Sequence, residues 1–262
     1  MFSKKDKGKK KKSSGRIATG IKEIDEILQG GIPKNSSVLV CGGPGSCKTI
    51  FSLNYAYQGA KKYNEKSLYV SFEQEKESII SQAEQFGWDL KNLEKKGKLK
   101  IMALSVNDIT NETIDKIQKT VKKEKYQRVV VDSLSTLVIN APIFSDTGDV
   151  SIKEAVGDNV VLSPPVMGDY FVQKFLYSFI EKLRGLDCTS LLVAEANSKE
   201  GSMSRDTLSE FVCDGVIFMS LQEILNTRRI QIKKMRGTKH ILKAKEFELT
   251  DKGIEIIKDK LS

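Results

Sequence analysis

The sequence predicts an α/β fold, a mostly parallel sheet with helices on both faces and a β-rich C-terminal extension. Three observations carry this expectation. From residue 17 onward, short apolar runs alternate with longer stretches of helical periodicity, the pattern of strand–helix–strand crossovers. The first strong run, 37–41 (SVLVC), shows no period-two alternation, as expected of a strand covered on both faces. It leads directly into Gly42-Gly43-Pro44-Gly45-Ser46-Cys47-Lys48-Thr49, which departs at one residue from the phosphate-loop pattern G-x-x-x-x-G-K-[ST].

The remaining elements follow in order. Residues 48–63 form the first long helical pattern, with Ile50, Phe51, Leu53 and Ala56 toward one side. A strand at 68–72, a helix at 76–86 and a strand at 99–104 come next. The helix at 113–123 places Ile114, Ile117 and Val121 on one face. Residues 128–131 read as a strand ended by Asp132. A helix at 170–184 precedes a strand at 190–194. The strand 216–220 and two β-rich segments, 229–235 and 246–249, complete the chain. The stretch 141–168 breaks the rhythm: it holds three of the five prolines, is net acidic and has no clear periodicity. It is expected to be an irregular insertion, of the kind that is functional or mobile in a compact domain.

Charge is unevenly spread. Residues 1–16, MFSKKDKGKKKKSSGR, carry +7 of the net +9, which leaves the rest of the chain close to neutral. A lysine-rich tail at 1–15 with so little apolar content is expected to be disordered. It has the charge to touch nucleic acid or an anionic membrane, and serves equally well as a solubilising extension. No apolar run approaches the ~18–20 residues of a membrane span, and no apolar stretch backs the charged N-terminus as in a secretory signal. A cytoplasmic protein without an integral membrane segment is expected. Cys41, Cys47, Cys188 and Cys213 form no C-x-x-C pair, and His240 is the single histidine, so free thiols and no zinc site are expected.

The loop carries the chemistry. Main-chain N–H groups of residues 42–49 are placed to wrap an anionic phosphate, with Lys48 reaching the terminal phosphates and the Thr49 hydroxyl on Mg²⁺. Cys47 stands where the pattern asks for glycine. A Cβ there implies backbone strain of about 1–3 kcal/mol, equivalent to roughly 5- to 150-fold in affinity. Beside Lys48 and a helix N-terminus, the thiol is also a candidate for an acidic, oxidisable group. Glu73, at the end of the second strand, is placed to orient or deprotonate a water; alone, a glutamate after a strand is more often a solvated loop residue. Asp132, ending the strand RVVVD, is a candidate second contact to Mg²⁺, or else a helix N-cap.

Read together, these pieces resemble a known family. Thr19-Gly20-Ile21, Asp25, Leu28 and Gly30-Gly31-Ile32-Pro33 precede the first strand. Then come GGPGSCKT, VSFE ending at Glu73, RVVVDSLS from Arg128 and EFVCDGVI from Glu210. Last come Lys234-Met235-Arg236-Gly237-Thr238-Lys239-His240 and FELTDKGIEI. The order resembles the KaiC-like branch of the RecA superfamily of ATPases, in a single-domain form, over about residues 16–258. The resemblance implies a RecA-type P-loop NTPase core spanning 16–262, binding ATP and Mg²⁺ between subunits of a homo-oligomeric ring, commonly a hexamer. It also implies that Glu73 is the catalytic base and that Lys234 and Arg236 reach the neighbour's γ-phosphate. Without it, the KKMRGTK segment reads as an exposed basic turn.

Two departures bear on activity: Cys47 in the loop, and Gln74 where the family often has a second glutamate. The expected function is therefore slow, Mg²⁺-dependent ATP hydrolysis at ring interfaces, coupling nucleotide state to an unidentified protein partner. The alternatives are a nucleotide-dependent scaffold with little hydrolysis, and a DNA-binding recombinase relative in DNA repair. The acidic stretch 141–168 and the near-neutral body argue against the last.

Overall fold

A computed structural model describes residues 15–105, 109–144, 164–196, 204, 206 and 208–257. The lysine-rich tail and residues 145–163 lie outside the described residues. In chain order the elements are β1 (Arg16–Ile17), α1 (Lys22–Ile27), β2 (Ile32–Pro33), β3 (Ser37–Gly42), α2 (Lys48–Gln58), β4 (Ser67–Ser71), α3 (Lys76–Glu84), α4 (Leu90–Lys95), β5 (Leu99–Ala103) and α5 (Asn111–Glu124). They continue with β6 (Arg128–Asp132), α6 (Leu134–Phe144), α7 (Pro164–Arg184), β7 (Thr189–Glu195), α8 (Ser209–Val212), β8 (Gly215–Gln222), β9 (Thr227–Met235), β10 (Lys245–Thr250) and β11 (Gly253–Ile256).

Among the described residues one nine-stranded sheet forms, in the order β11-β10-β9-β8-β3-β7-β6-β4-β5. The six strands from β8 to β5 are parallel. Strands β9, β10 and β11 add to the β8 edge in antiparallel fashion. The expected β-rich extension is thus a continuation of the central sheet. Strand β3 shows why its sequence lacks alternation. Val38 and Val40 join a core with Ile24, Phe51 and Leu53, while Leu39 and Cys41 join a second core with Ile117, Leu137 and Phe179. Both faces are covered by helices, so both sets of side chains must be apolar.

Both ends of the segment expected to be irregular, 141–144 and 164–168, are helical. Helix α6 runs on to Phe144, and α7 begins at Pro164. The three prolines of this region lie in helical backbone: Pro142 in the last turn of α6, Pro164 and Pro165 in the first turn of α7. At a helix start the missing proline N–H has no intrahelical partner to lose, so Pro164 and Pro165 open a helix where the sequence reads as irregular.

The first long helix changes period along its length. Residues Lys48–Gln58 are α-helical, and Gly59–Tyr63 continue as a π-turn. The change faces Arg128, the first residue of β6, which is fully buried. Its guanidinium pairs with Glu65 (2.6 Å), donates to the Tyr55 carbonyl (2.8 Å) and lies over the rings of Tyr55 and Tyr63 (4.5 and 5.2 Å). A Cβ on Gly59 would fall 2.3 Å from Arg128 Cδ. The wider turn and the absent side chain together make room for a paired, stacked cation in the interior, where an unpaired one is excluded.

Gly59→Ala should therefore destabilise the fold by about 1–3 kcal/mol, as for overpacking of a filled interior. Urea denaturation reads this as a lower midpoint at unchanged slope; an unchanged midpoint would show that the interior yields freely.

Candidate functional site

The loop after β3 is shaped by close contacts on one side. A Cβ on Gly42 would lie 2.0 Å from the Met219 carbonyl of β8, so only glycine fits. Gly45 has φ +72°, and Pro44 and Gly45 form the exposed crest. Ser46 is buried, and its hydroxyl donates to the Gly43 carbonyl at 2.7 Å. Gly43 has open space where a Cβ would stand. Cys47 has φ +67° and ψ 26°, the left-handed region that a glycine adopts freely. The strain foreseen for this substitution is present, at about 1–2 kcal/mol for a residue with a Cβ.

The acidic, oxidisable thiol is not what the surroundings create. Burial, the largest influence, pushes the Cys47 thiol above its usual value; Arg228 and Lys48 oppose it without prevailing. Lys48 opens α2, and its ammonium crosses the loop to the Gly43 carbonyl (2.9 Å). Burial lowers its proton affinity, while Asp132, Glu195 and Glu73 hold it in the charged form.

Three acids face this ammonium, because four parallel strands end side by side. Gly42 pairs with Glu195 across β3 and β7, Asp132 with Val193 across β6 and β7, and Ser71 with Asp132 across β4 and β6. Asp132 is buried; the Tyr69 hydroxyl donates to its Oδ2 (2.7 Å), and the Thr49 side chain hydrogen-bonds to it. Burial raises its proton affinity, Tyr69 and Thr49 work against that, and Glu73 adds to it. Asp132 is not the N-cap of the next helix. Ser133 takes that place, its hydroxyl accepting from Thr136 N (3.3 Å). Glu73 is exposed and held by the hydroxyls of Ser133 and Thr136, the latter at 3.2 Å. The Gln74 side-chain oxygen beside it is buried without a partner.

The structure thus gathers Gly42, Gly43, Pro44, Gly45, Ser46, Cys47, Lys48, Thr49, Glu73 and Asp132 at one end of the sheet. Lys234 and Arg236 are not among them. Arg236 N donates to the Asp214 carbonyl, and Asp214 N to Ser37 at the first residue of β3, the end away from the loop. Lys234 donates to the carbonyls of Glu210, Phe211 and Cys213 (3.0, 3.1 and 2.7 Å), closing the C-terminus of α8. Arg236 is exposed and pairs with Asp214 at 3.0 Å. Asp214 also binds Arg184 (2.9 Å) and Ser37 N (3.0 Å), and despite burial these partners lower its proton affinity. Arg16 supports the next turn, donating to Thr238 Oγ1 (2.8 Å) and the Gly237 carbonyl (3.0 Å).

A glycine-rich loop between a buried strand and a helix, with a lysine and a hydroxyl at its exit and a buried aspartate on the strand two places away, is the arrangement of a P-loop NTPase. The sequence model of one family, the KaiC ATPase, matches residues 17–143 and 149–261. The chain belongs to the KaiC family of ATPases. A UPF0273 protein of Methanocaldococcus jannaschii is 31% identical, over 94% of this chain and 98% of that one. The circadian clock oscillator protein KaiC of Synechococcus elongatus is 29% identical over 92% of this chain but 44% of its own length. The crystal structure of a KaiC-like protein from Pyrococcus horikoshii superposes with a TM-score of 0.74 at 28% identity, covering 93% of this chain and 99% of that one. The chain is therefore a KaiC-like member of the RecA superfamily. No described helix is long and apolar enough to cross a membrane.

The donor set fits Mg²⁺. Among the described residues no cluster of three or more His, Cys, Asp or Glu is placed to hold a metal by itself. One buried carboxylate bonded to one hydroxyl, beside a phosphate loop, is the sparse protein contribution that Mg²⁺ takes when substrate oxygens and water supply the rest.

Two predictions follow from the geometry of residues 47 and 132. Cys47→Gly should raise stability by about 0.5–1 kcal/mol, the relief of left-handed strain less the greater freedom of unfolded glycine; an unchanged or lower denaturation midpoint would contradict the strain. Asp132 has its folded pKa raised, so the fold favours the neutral carboxyl and is penalised once pH passes that pKa. Asp132→Asn should therefore stabilise the ligand-free protein at pH 7, and the advantage should shrink as pH falls toward 4. A variant less stable at pH 7, or an advantage independent of pH, would contradict this.

Proposed function

We propose that the chain is a slow, Mg²⁺-dependent ATPase whose active sites lie between neighbouring subunits of a ring. The supporting observation is that the candidate site residues fall at opposite ends of the parallel strands. Residues 42–49, Asp132 and Glu73 form one half-site; Lys234 and Arg236 form the other. When one end of a subunit meets the opposite end of the next, the contact is head-to-tail, and such contacts close into rings or extend into filaments. The hexamer expected from the family resemblance is one such closed form.

Each residue then has a physical task. The loop amides and Lys48 bind and orient the triphosphate. Thr49 and Asp132 would hold Mg²⁺, which neutralises charge on the phosphate oxygens. Glu73, exposed and oriented by Ser133 and Thr136, is placed to orient the attacking water and accept its proton. Arg236, exposed at the far end, would stabilise charge that grows on the phosphoryl group transferred in the next subunit, and Lys234 would join it on exchanging the carbonyls it holds for phosphate oxygens. Arg236 has donors beyond the one bound to Asp214. Cys47 strains the loop, and Gln74 leaves Glu73 without a second acid, so turnover is slow. The change of nucleotide state is passed to a protein partner that the sequence does not identify.

The same two departures favour a second reading, a scaffold that binds ATP and hardly hydrolyses it. A DNA-binding role rests on the tail, which lies outside the described residues. Deleting residues 1–15 separates the cases: DNA binding that survives the deletion would favour the recombinase reading.

Trans-complementation tests the shared site. Lys48→Ala and the double variant Lys234→Ala/Arg236→Ala should each release phosphate roughly 10²-fold or more slowly than the parent protein. Mixed before assembly in equal amounts, they should recover activity at about one-quarter of the interfaces, those that pair an intact loop with intact cations. A mixture as silent as its components would exclude catalysis in trans. Glu73→Gln releasing phosphate as slowly as the parent would favour the scaffold.

A further inference from the structure

Strand β9 places a second cation at the phosphate loop of its own subunit. Arg228 lies across from Leu221 of β8 and Phe247 of β10. Its Nε donates to the Gly45 carbonyl at 3.1 Å. From the facing strand, Leu221 Cδ2 stands 3.2 Å from where a Cβ on Gly45 would be. The crest of the loop is therefore touched from both strands of the β8–β9 pair, once by an apolar group and once by a guanidinium. The charge of Arg228 is also felt at the Cys47 thiol, so it acts on both sides of Ser46.

This guanidinium has no other partner among the described residues. The adjacent Arg229, on the opposite face of the strand, is neutralised by Glu246, with Nη2 and Nε at 2.6 and 3.0 Å from one carboxylate oxygen. Arg236 is held by Asp214, and Arg184 by the same carboxylate. Arg228 has no ion pair, and its two terminal nitrogens make no hydrogen bond among the described residues. A guanidinium fixed through one N–H, with its remaining donors unused at the crest of an anion loop, has the geometry of a ligand for a polyanion. Its planar fork matches phosphate oxygens better than an ammonium does.

We infer that Arg228 is a polyphosphate ligand supplied in cis, acting with Lys48 to bind the charged tail of the nucleotide and to pin the loop at Gly45. The inference rests on the reading of residues 42–49 as the triphosphate site and adds to it a residue of β9 that lies outside the quoted motifs, six positions before Lys234. It also gives the strained loop a second tether, since Cys47 has replaced the glycine that would otherwise adapt to the phosphate.

Calorimetric titration of the full-length protein with Mg·ATP and, separately, with inorganic tripolyphosphate tests this. Arg228→Gln keeps an amide donor but removes the charge; Arg228→Lys keeps the charge but removes the fork. The Gln variant should bind both probes about tenfold or more weakly than the parent, by the same factor for each, as expected for loss of a charge-assisted bond to the phosphates. The Lys variant should fall between. Thermal unfolding of the ligand-free proteins should differ little, because β9 stays paired on both sides. Parent-like binding of both probes by Arg228→Gln would overturn the inference. So would a loss shared equally by the Gln and Lys variants and matched by a lower unfolding temperature, which would make the role structural. If the parent protein binds neither probe, the triphosphate reading of the loop fails, and this inference with it.

Discussion

Four neighbouring strands, β3, β7, β6 and β4, point the same way, and each ends on a residue at the site: Gly42, Glu195, Asp132 and Ser71. Parallel pairing brings these ends to one edge of the sheet, and the crossovers put helices over both faces, so the strand ends lie where backbone is free to meet a ligand. Glu73 then needs only two further positions of chain to arrive there, and Lys48 and Thr49 return to it at the start of α2, after the loop. The antiparallel turn from β8 to β9 has the opposite consequence. It carries Arg228 up to the loop and returns Lys234 and Arg236 to the far end. A single reversal of strand direction thus separates the cation beside the loop from those at the far end of the sheet.

The site holds its charges under tension in the ligand-free state. Lys48 is bonded to a carbonyl and drawn by three carboxylates; Asp132 is buried beside Tyr69 and Thr49 with its ionised form disfavoured. A divalent cation and a polyanion entering together would relieve both conditions, which is the linkage expected when a ligand binds only the folded state. Cys47 adds backbone strain at the same place. Strained φ and disfavoured charges at one point are common where a site is kept ready for a ligand. The compensating order lies elsewhere, in two apolar cores and in the paired Arg128.

Much of the fold was legible in the sequence because strands and helices with continuous apolar content leave strong periodic signals. The strands 37–41, 99–104 and 128–131 and the helix 113–123 lie within a residue or two of their observed limits. Short elements without such signals were not seen: α1, α4 and α8 span six, six and four residues. Pro142, Pro164 and Pro165 misled because a proline in a terminal helical turn looks, in sequence, like a proline in a loop. Within the site, the loop was readable from its spacing, whereas Asp132 read as either a metal contact or an N-cap until the structure gave the cap to Ser133. Arg128 could not be read as a buried ion pair, because Glu65, Tyr55 and Tyr63 come from a different helix and turn. Arg228 was hidden in a basic run, TRRIQIKKMR, where only strand pairing distinguishes the residue facing the loop from its neutralised neighbour Arg229. Glu195 and Tyr69 likewise gain meaning only from register.

The central claim is that a complete site takes residues from two subunits, and turnover as a function of protein concentration tests it most directly. Phosphate release per subunit, measured at saturating Mg·ATP alongside sedimentation, should rise with concentration and level off as assembly completes. Undiminished turnover per subunit at dilutions where only monomer sediments would contradict a shared site.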